Sequence, residues 1–225
     1  MKRKSNENNV KKKLIEATTQ LIDEEGVKGV SIRKIASKAG YTSGTIYLYF
    51  EKIEELIFLS SLKYLKQYNE NLESYVKNAK NSYEENILVW RFFCDCSFQE
   101  PEIFHSIFFS SFEFQTNKIN EYYELKDFYK IFPEEIKEFS SKFYPMLLKL
   151  SLKERNKYLI RKMVKDKYIS PSHIYSLNHS QIFIYKGFLE QAMKSKNKKE
   201  NDRIKRSCVR AIEQIYKAYL LSDSE

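Results

Sequence analysis

The chain has 225 residues, 42% of them hydrophobic, and a formal net charge of +9. That apolar fraction supports a buried core and excludes wholesale disorder. With 5 Gly and 4 Pro, the chain lacks the turn residues that an all-β fold needs about every 8–12 positions, and its 3 Cys build no disulfide framework. Behind Lys2-Arg3-Lys4 no apolar stretch follows, so no signal peptide is expected. The longest uncharged run, 168–185, contains Pro171, Asn178, Gln181 and two His, which excludes a membrane span. A cytoplasmic protein is expected, and its positive charge favours a polyanionic partner.

The first predicted helix covers 9–25, where Val10, Leu14, Ala17, Leu21 and Ile22 recur at steps of four, three, four and one. Gly26 stops it, as a residue tolerant of positive φ does. Ser31 is a natural N-cap for a second helix over Ile32–Ala39, with Ile35, Ala36 and Ala39 on its inner side. Gly40 ends that helix. Thr42 or Ser43 caps a third, over 45–50, with Ile46 and Phe50 assigned to the core. Two short helices joined by a turn of about four residues containing Gly, behind a longer helix, make a helix-turn-helix pattern.

In such a unit the second short helix enters the major groove while the first crosses the backbone. Its leading end needs small, hydrogen-bonding residues, and here it carries Thr42, Ser43, Gly44 and Thr45. Tyr47 and Tyr49 offer hydroxyls to phosphates or bases. Arg33, early in the preceding helix, can fork onto guanine or clamp a phosphate. The first 40 residues hold ten Lys/Arg against five Asp/Glu.

Residues 10–56 resemble the DNA-binding domain of the TetR family of bacterial repressors. The resemblance rests on Ala17, Leu21 and Gly26, then on Ser31-Ile32-Arg33-Lys34-Ile35-Ala36-Ser37-Lys38-Ala39-Gly40. It continues through Gly44-Thr45-Ile46-Tyr47-Leu48-Tyr49-Phe50 and Glu54-Glu55-Leu56. Two positions depart from the family pattern. Ser43 stands where a Lys or other long polar residue is frequent, and Ile53 stands where a phosphate-gripping Lys is common; Lys52 is expected to replace the latter. The resemblance implies an all-α protein with a DNA-binding domain over 1–51 and a helical ligand-binding and dimerisation domain over 52–225. It further implies a homodimer on a palindromic double-stranded operator, acting as a repressor released by a small effector.

Beyond residue 52 an uninterrupted helix is expected from Ile53 through Gln67, linking the two domains. Pro101 and Pro133 read as helix starts. The aromatic middle of the chain could enclose an apolar pocket, with Trp90, Phe93, Phe108, Phe112 and Tyr129 as its expected lining and an apolar or aromatic effector as its occupant. Glu102 and His105 share a helix face, but one Glu-x-x-His copy is too few for a carboxylate-bridged metal site. Cys94 and Cys96 read as buried small apolar groups. No nucleophile–base pair, Gly-rich phosphate loop or zinc spacing is visible, so neither an enzyme nor a cofactor is expected. Two C-terminal stripes, Ile174-Leu177-Gln181-Ile184-Phe188-Ala192 and Ile204-Cys208-Ala211-Ile215-Tyr219-Leu220, suit a four-helix dimer interface. Its expected contact residues are Ile184, Gly187, Phe188, Ala211, Ile215 and Tyr219. The alternative reading is a helical ligand carrier with a vestigial DNA-binding head.

Overall fold

The computed structural model describes residues 2–109, 131–132 and 142–221, and over these the chain is all-α. Among the described residues one isolated antiparallel bridge pairs Ile169 with Leu220. The helix expected at Pro133 lies outside the described residues. The chain divides into two compact units, Met1–Lys66 with Phe109–Glu138, and Gln67–Phe108 with Phe139–Glu225. The expected division at 51/52 falls inside the first of them.

In the first unit α1 (Lys2–Glu25) is the spine. It packs on α2 (Ile32–Ala39) and on α4 (Ile53–Ser61). Leu14, Ile15, Leu21 and Ile22 meet Ile35, Ile46, Phe50, Leu56 and Leu59 in a buried core. Gly26 and Gly40 both adopt φ 73°, the left-handed region that a side chain would strain, so each ends its helix sharply. The short α3 (Ser43–Tyr47) stops at Leu48, earlier than the predicted 45–50 segment, and Phe50 enters the core from the turn beyond it.

The expected uninterrupted helix from Ile53 is broken. After α4 a 3-10 turn, Leu62–Leu65, precedes α5 (Lys66–Val76). The cause is local. Ser60 Oγ donates to Leu56 O (2.7 Å) and Ser61 Oγ to Ile57 O (2.8 Å), bonds that compete with the helical ladder and bend it. Ser60 Oγ also reaches Ile15 O at 3.1 Å, and Tyr64 bonds Asp23 further along, so α4 and the 3-10 turn run parallel to α1.

The second unit contains α6 (Ser82–Ser97), α8 (Tyr144–Leu147), α9 (Leu152–Lys165), α10 (Ile174–Ala192) and α11 (Lys198–Tyr219). The helix α7 (Pro101–Phe109) begins at Pro101, where the sequence placed a start. Asn81 caps α6 by accepting from Glu84 N, and Asn197 caps α11 by accepting from Glu200 N. The helices α10 and α11 pack on each other, and α9 and α6 close the core around them. That core is aromatic. Phe93 meets Phe104, Phe108 and Trp90 edge-on at 5.5–5.9 Å, and Tyr185 lies against Trp90 and Phe93.

Candidate functional site

The leading end of α3 is built from its caps. The Thr42 hydroxyl accepts from Thr45 N at 3.2 Å and lies 3.0 Å from the Thr45 hydroxyl. Ile46 is fully buried, which anchors the helix by one side only. Its neighbours on the other side face solvent: Gly44 is exposed, Tyr47 is 59% exposed and Leu48 80%. Among the described residues a Cβ on Gly44 would meet only Thr42 Oγ1, at 3.7 Å, so none of them demands a glycine there. Ser43, Thr45 and Tyr49 are half-buried. Arg33 is exposed on α2, and Lys52 is exposed in extended backbone at the N-cap of α4. Within α2, Lys34 pairs with Glu25 and Lys38 with Glu24 (2.7 Å), which ties α2 to α1 and consumes two cations of the basic N-terminal region.

In the second unit a cavity of about 20 Å³ is lined by Tyr68, Val89, Trp90, Phe93, Met146, Leu152, Arg155, Asn156 and Leu159. Trp90 and Phe93 were expected there. Phe108 is buried beside Phe93 (5.5 Å) but does not line the cavity. Phe112 and Tyr129 lie outside the described residues. Sequence reasoning missed Arg155 and Asn156. The signal was present: Leu152, Arg155, Asn156, Leu159, Ile160 and Met163 form one helical stripe, and two of its core positions are polar. A wider groove of about 340 Å³ opens between α6 and α11, lined by Tyr83, Ile87, Leu88 and the Arg91–Glu213 ion pair (2.7 Å).

The two C-terminal helices each bury one row within the unit. Leu177, Gln181, Leu189 and Ala192 of α10, and Ile204, Cys208, Ile212 and Tyr216 of α11, are buried inside the unit. The α11 core row therefore follows Ile212 and Tyr216 rather than Ala211, Ile215 and Tyr219, which are half-buried. Each step of four turns about 40° past a full turn of a 3.6-residue helix, so this buried row winds slowly around α11 rather than holding one straight face. Ile184 and Phe188 are half-buried and Gly187 is exposed, with nothing within 4 Å of a Cβ built on it. Tyr175 (73% exposed), His179 and Phe183 (64%) form a ring row along the same helix. His105 of α7 meets Glu190 of α10 at 3.4 Å. Cys94, Cys96 and Cys208 are free and buried. No described helix is long and apolar enough to cross a membrane.

Residues 14–58 match the family model for bacterial regulatory proteins, tetR family. The chain is 33% identical over 76 residues to the fatty acid metabolism regulator protein of Bacillus subtilis, a stretch covering 34% of this chain and 39% of that protein. The matched stretch thus spans about two fifths of the curated relatives' length. Among solved structures, RolR in complex with resorcinol aligns with TM-score 0.57 at 14% identity, over 98% of this chain and 99% of that one. A tetR-family regulator of Mesorhizobium loti aligns with TM-score 0.54 at 14% identity, over 96% and 98%. These two share the fold across nearly the whole chain. The N-terminal helix-turn-helix, residues 14–58, is thus similar to that of the tetR family of bacterial regulatory proteins.

Proposed function

We propose that the protein is a homodimeric, ligand-responsive transcription regulator of the cytoplasm that binds a palindromic double-stranded operator and is released from it by a small aromatic or apolar effector. The observation that carries the reading is α3. It is anchored by Ile46 and Phe50 and presents Gly44 and the 59% exposed Tyr47 outward. Thr42, Ser43, Gly44, Thr45, Tyr47 and Tyr49 then meet the major groove, and Arg33 and Lys52 the flanking backbone. RolR, of similar fold, holds resorcinol. That supports an effector site among the rings of the second unit here, around Trp90 and Phe93.

The dimer contact in this reading is the outer face of α10 with α11. Gly187 supports it: a mid-helix glycine lowers stability, and no neighbour among the described residues requires one. The test is fluorescence anisotropy with DNA from upstream of the protein's own gene, at several salt concentrations. Specific binding that weakens steeply with salt is expected. Equal affinity for that DNA and for scrambled duplex would reject a specific operator there.

A further inference from the structure

The outward face of α11 carries a row of cations. Lys199, Arg203, Arg206, Arg210 and Lys217 are all exposed. Their steps of four, three, four and seven keep them within about 60° of the helix circumference. That arc lies opposite the buried Ile204, Cys208, Ile212 and Tyr216. At 1.5 Å per residue the row is about 27 Å long. Ala211, Ile215 and Tyr219, the α11 residues of the proposed dimer contact, lie outside the arc.

A solvated helix face gains from opposite charges three or four residues apart, and this face does the reverse. Lys199 with Arg203, Arg206 with Arg210, and Arg203 with Arg206 are like-charge pairs at those spacings, where repulsion destabilises a helix. The carboxylates of α11 are engaged off the row. Glu200 accepts from Lys196 N at 2.9 Å, Asp202 lies 4.0 Å from Lys205, and Glu213 pairs with Arg91. Among the described residues none of the five cations is ion-paired. The chain has 31 Lys and 8 Arg, yet three of the eight arginines fall in this row. A guanidinium presents a planar fork that matches phosphate oxygens two at a time.

We propose that this row binds duplex DNA through its phosphates, without reading bases, as a contact surface additional to the helix-turn-helix. The proposal rests on reading the chain as an operator-binding protein, which makes duplex DNA the polyanion it meets. A duplex carries one charge per about 1.7 Å of axis, so a row of this length faces several phosphates in any register. A lipid surface fits less well. A helix seated in a membrane interface sets large apolar side chains beside its cations, and among the described residues no exposed large apolar side chain lies on α11.

The experiment follows binding of the full chain to a scrambled duplex by anisotropy across a range of salt. The test variant is Arg203→Gln/Arg206→Gln/Arg210→Gln. The control, Lys153→Gln/Arg161→Gln/Lys165→Gln, removes the same charge from exposed positions of α9. Each phosphate contact contributes about 0.9 to the slope of log affinity against log salt, so the test variant is expected to lose about 2–3 from that slope and the control less than about 1. The test substitutions are exposed and relieve repulsion within α11, so folding should survive them; Arg206→Gln alone, with an expected loss of about 0.9, is the second variant. A wild-type slope in the test variant overturns the proposal. Equal losses in test and control overturn it too, since net charge alone would then act. Lost binding to phosphatidylglycerol vesicles with an unchanged DNA slope would assign the row to lipid instead. The operator reading is scored separately, by the ratio of operator to scrambled affinity, which phosphate contacts do not set. A wild-type ratio of one sinks that reading and leaves the slope result standing.

Discussion

Tyr47 and Ile46 are neighbours with opposite fates, one 59% exposed and the other fully buried. The difference places Tyr47 where its removal need not disturb the core. Tyr47→Ala and Arg33→Ala are each expected to weaken specific DNA binding by about 1–3 kcal/mol and to relax sequence preference, with thermal unfolding unchanged. Wild-type affinity in both variants would remove these residues from the interface. Glu85 poses a different problem. Its carboxylate is buried, and burial raises its pKa, but the ammonium groups of Lys142 and Lys162 bonded to it more than reverse that and hold it below its usual 4.5. A carboxyl whose folded pKa is depressed stabilises the protein above its unfolded pKa and loses that contribution as pH falls through the folded value. Glu85→Gln is therefore expected to destabilise at pH 7 by about 1.5–3 kcal/mol, the range for hydrogen bonds to charged groups. The gap between variant and wild type should narrow as pH drops below 4.5. Denaturant unfolding across that range measures it, and a gap independent of pH would mean that packing, not charge, is what Glu85 contributes.

At the scale of elements, α10 has two faces with distinct roles. Leu177, Tyr185 and Leu189 are fully buried, while Tyr175, Phe183 and Gly187 face outward. In the proposed dimer these outward rings are the association surface. Gly187→Leu inserts a side chain into space that is open within the chain, so the folded subunit should tolerate it. It is expected to shift the monomer–dimer equilibrium toward monomer, as seen by sedimentation at micromolar concentration. A monomeric wild-type protein under the same conditions would sink the proposed dimer. Ser60 is a comparable case inside one unit. Its hydroxyl joins α4 to Ile15 of α1, and Ser60→Ala is expected to lower stability by about 0.5–1.5 kcal/mol.

For the whole molecule, the proposed function requires that an effector bound in the second unit alter DNA binding by the first. The chain passes between the units at Lys66/Gln67, in a stretch from Ile53 to Val76 that contains neither Gly nor Pro. Such a stretch can transmit a displacement where a flexible linker would absorb it. Two reading heads on half-sites about 34–36 Å apart tolerate little change in spacing. A ligand shifts the protein from its DNA-binding state only by preferring another state. The coupling, commonly about 1–3 kcal/mol, acts equally in both directions. An effector is accordingly expected to lower operator affinity, and operator to lower effector affinity by the same factor. Calorimetric titration of one with and without the other measures both. Identical effector affinities in the two titrations would leave a bound ligand that carries no signal.

The helix-turn-helix was legible in the sequence because its information is local. Ser31, Gly40, Thr42 and the stripe from Leu14 to Ile22 act within a few residues of themselves, and caps, breakers and periodicity suffice to read them. The all-α class followed from the resemblance those residues carry, with the scarcity of Gly and Pro excluding an all-β fold. Three features were decided only by tertiary structure. The 3-10 break after Ser61 depends on serine bonds that sequence periodicity does not register. The core row of α11 depends on which face α10 covers, and two adjacent apolar rows on one helix look alike until a partner selects between them. The cavity joins Tyr68, Trp90, Met146 and Arg155, far apart in sequence and adjacent only after packing. Arg155 reads as one more surface cation in the chain, and only packing buries it against the Leu147 and Lys149 carbonyls.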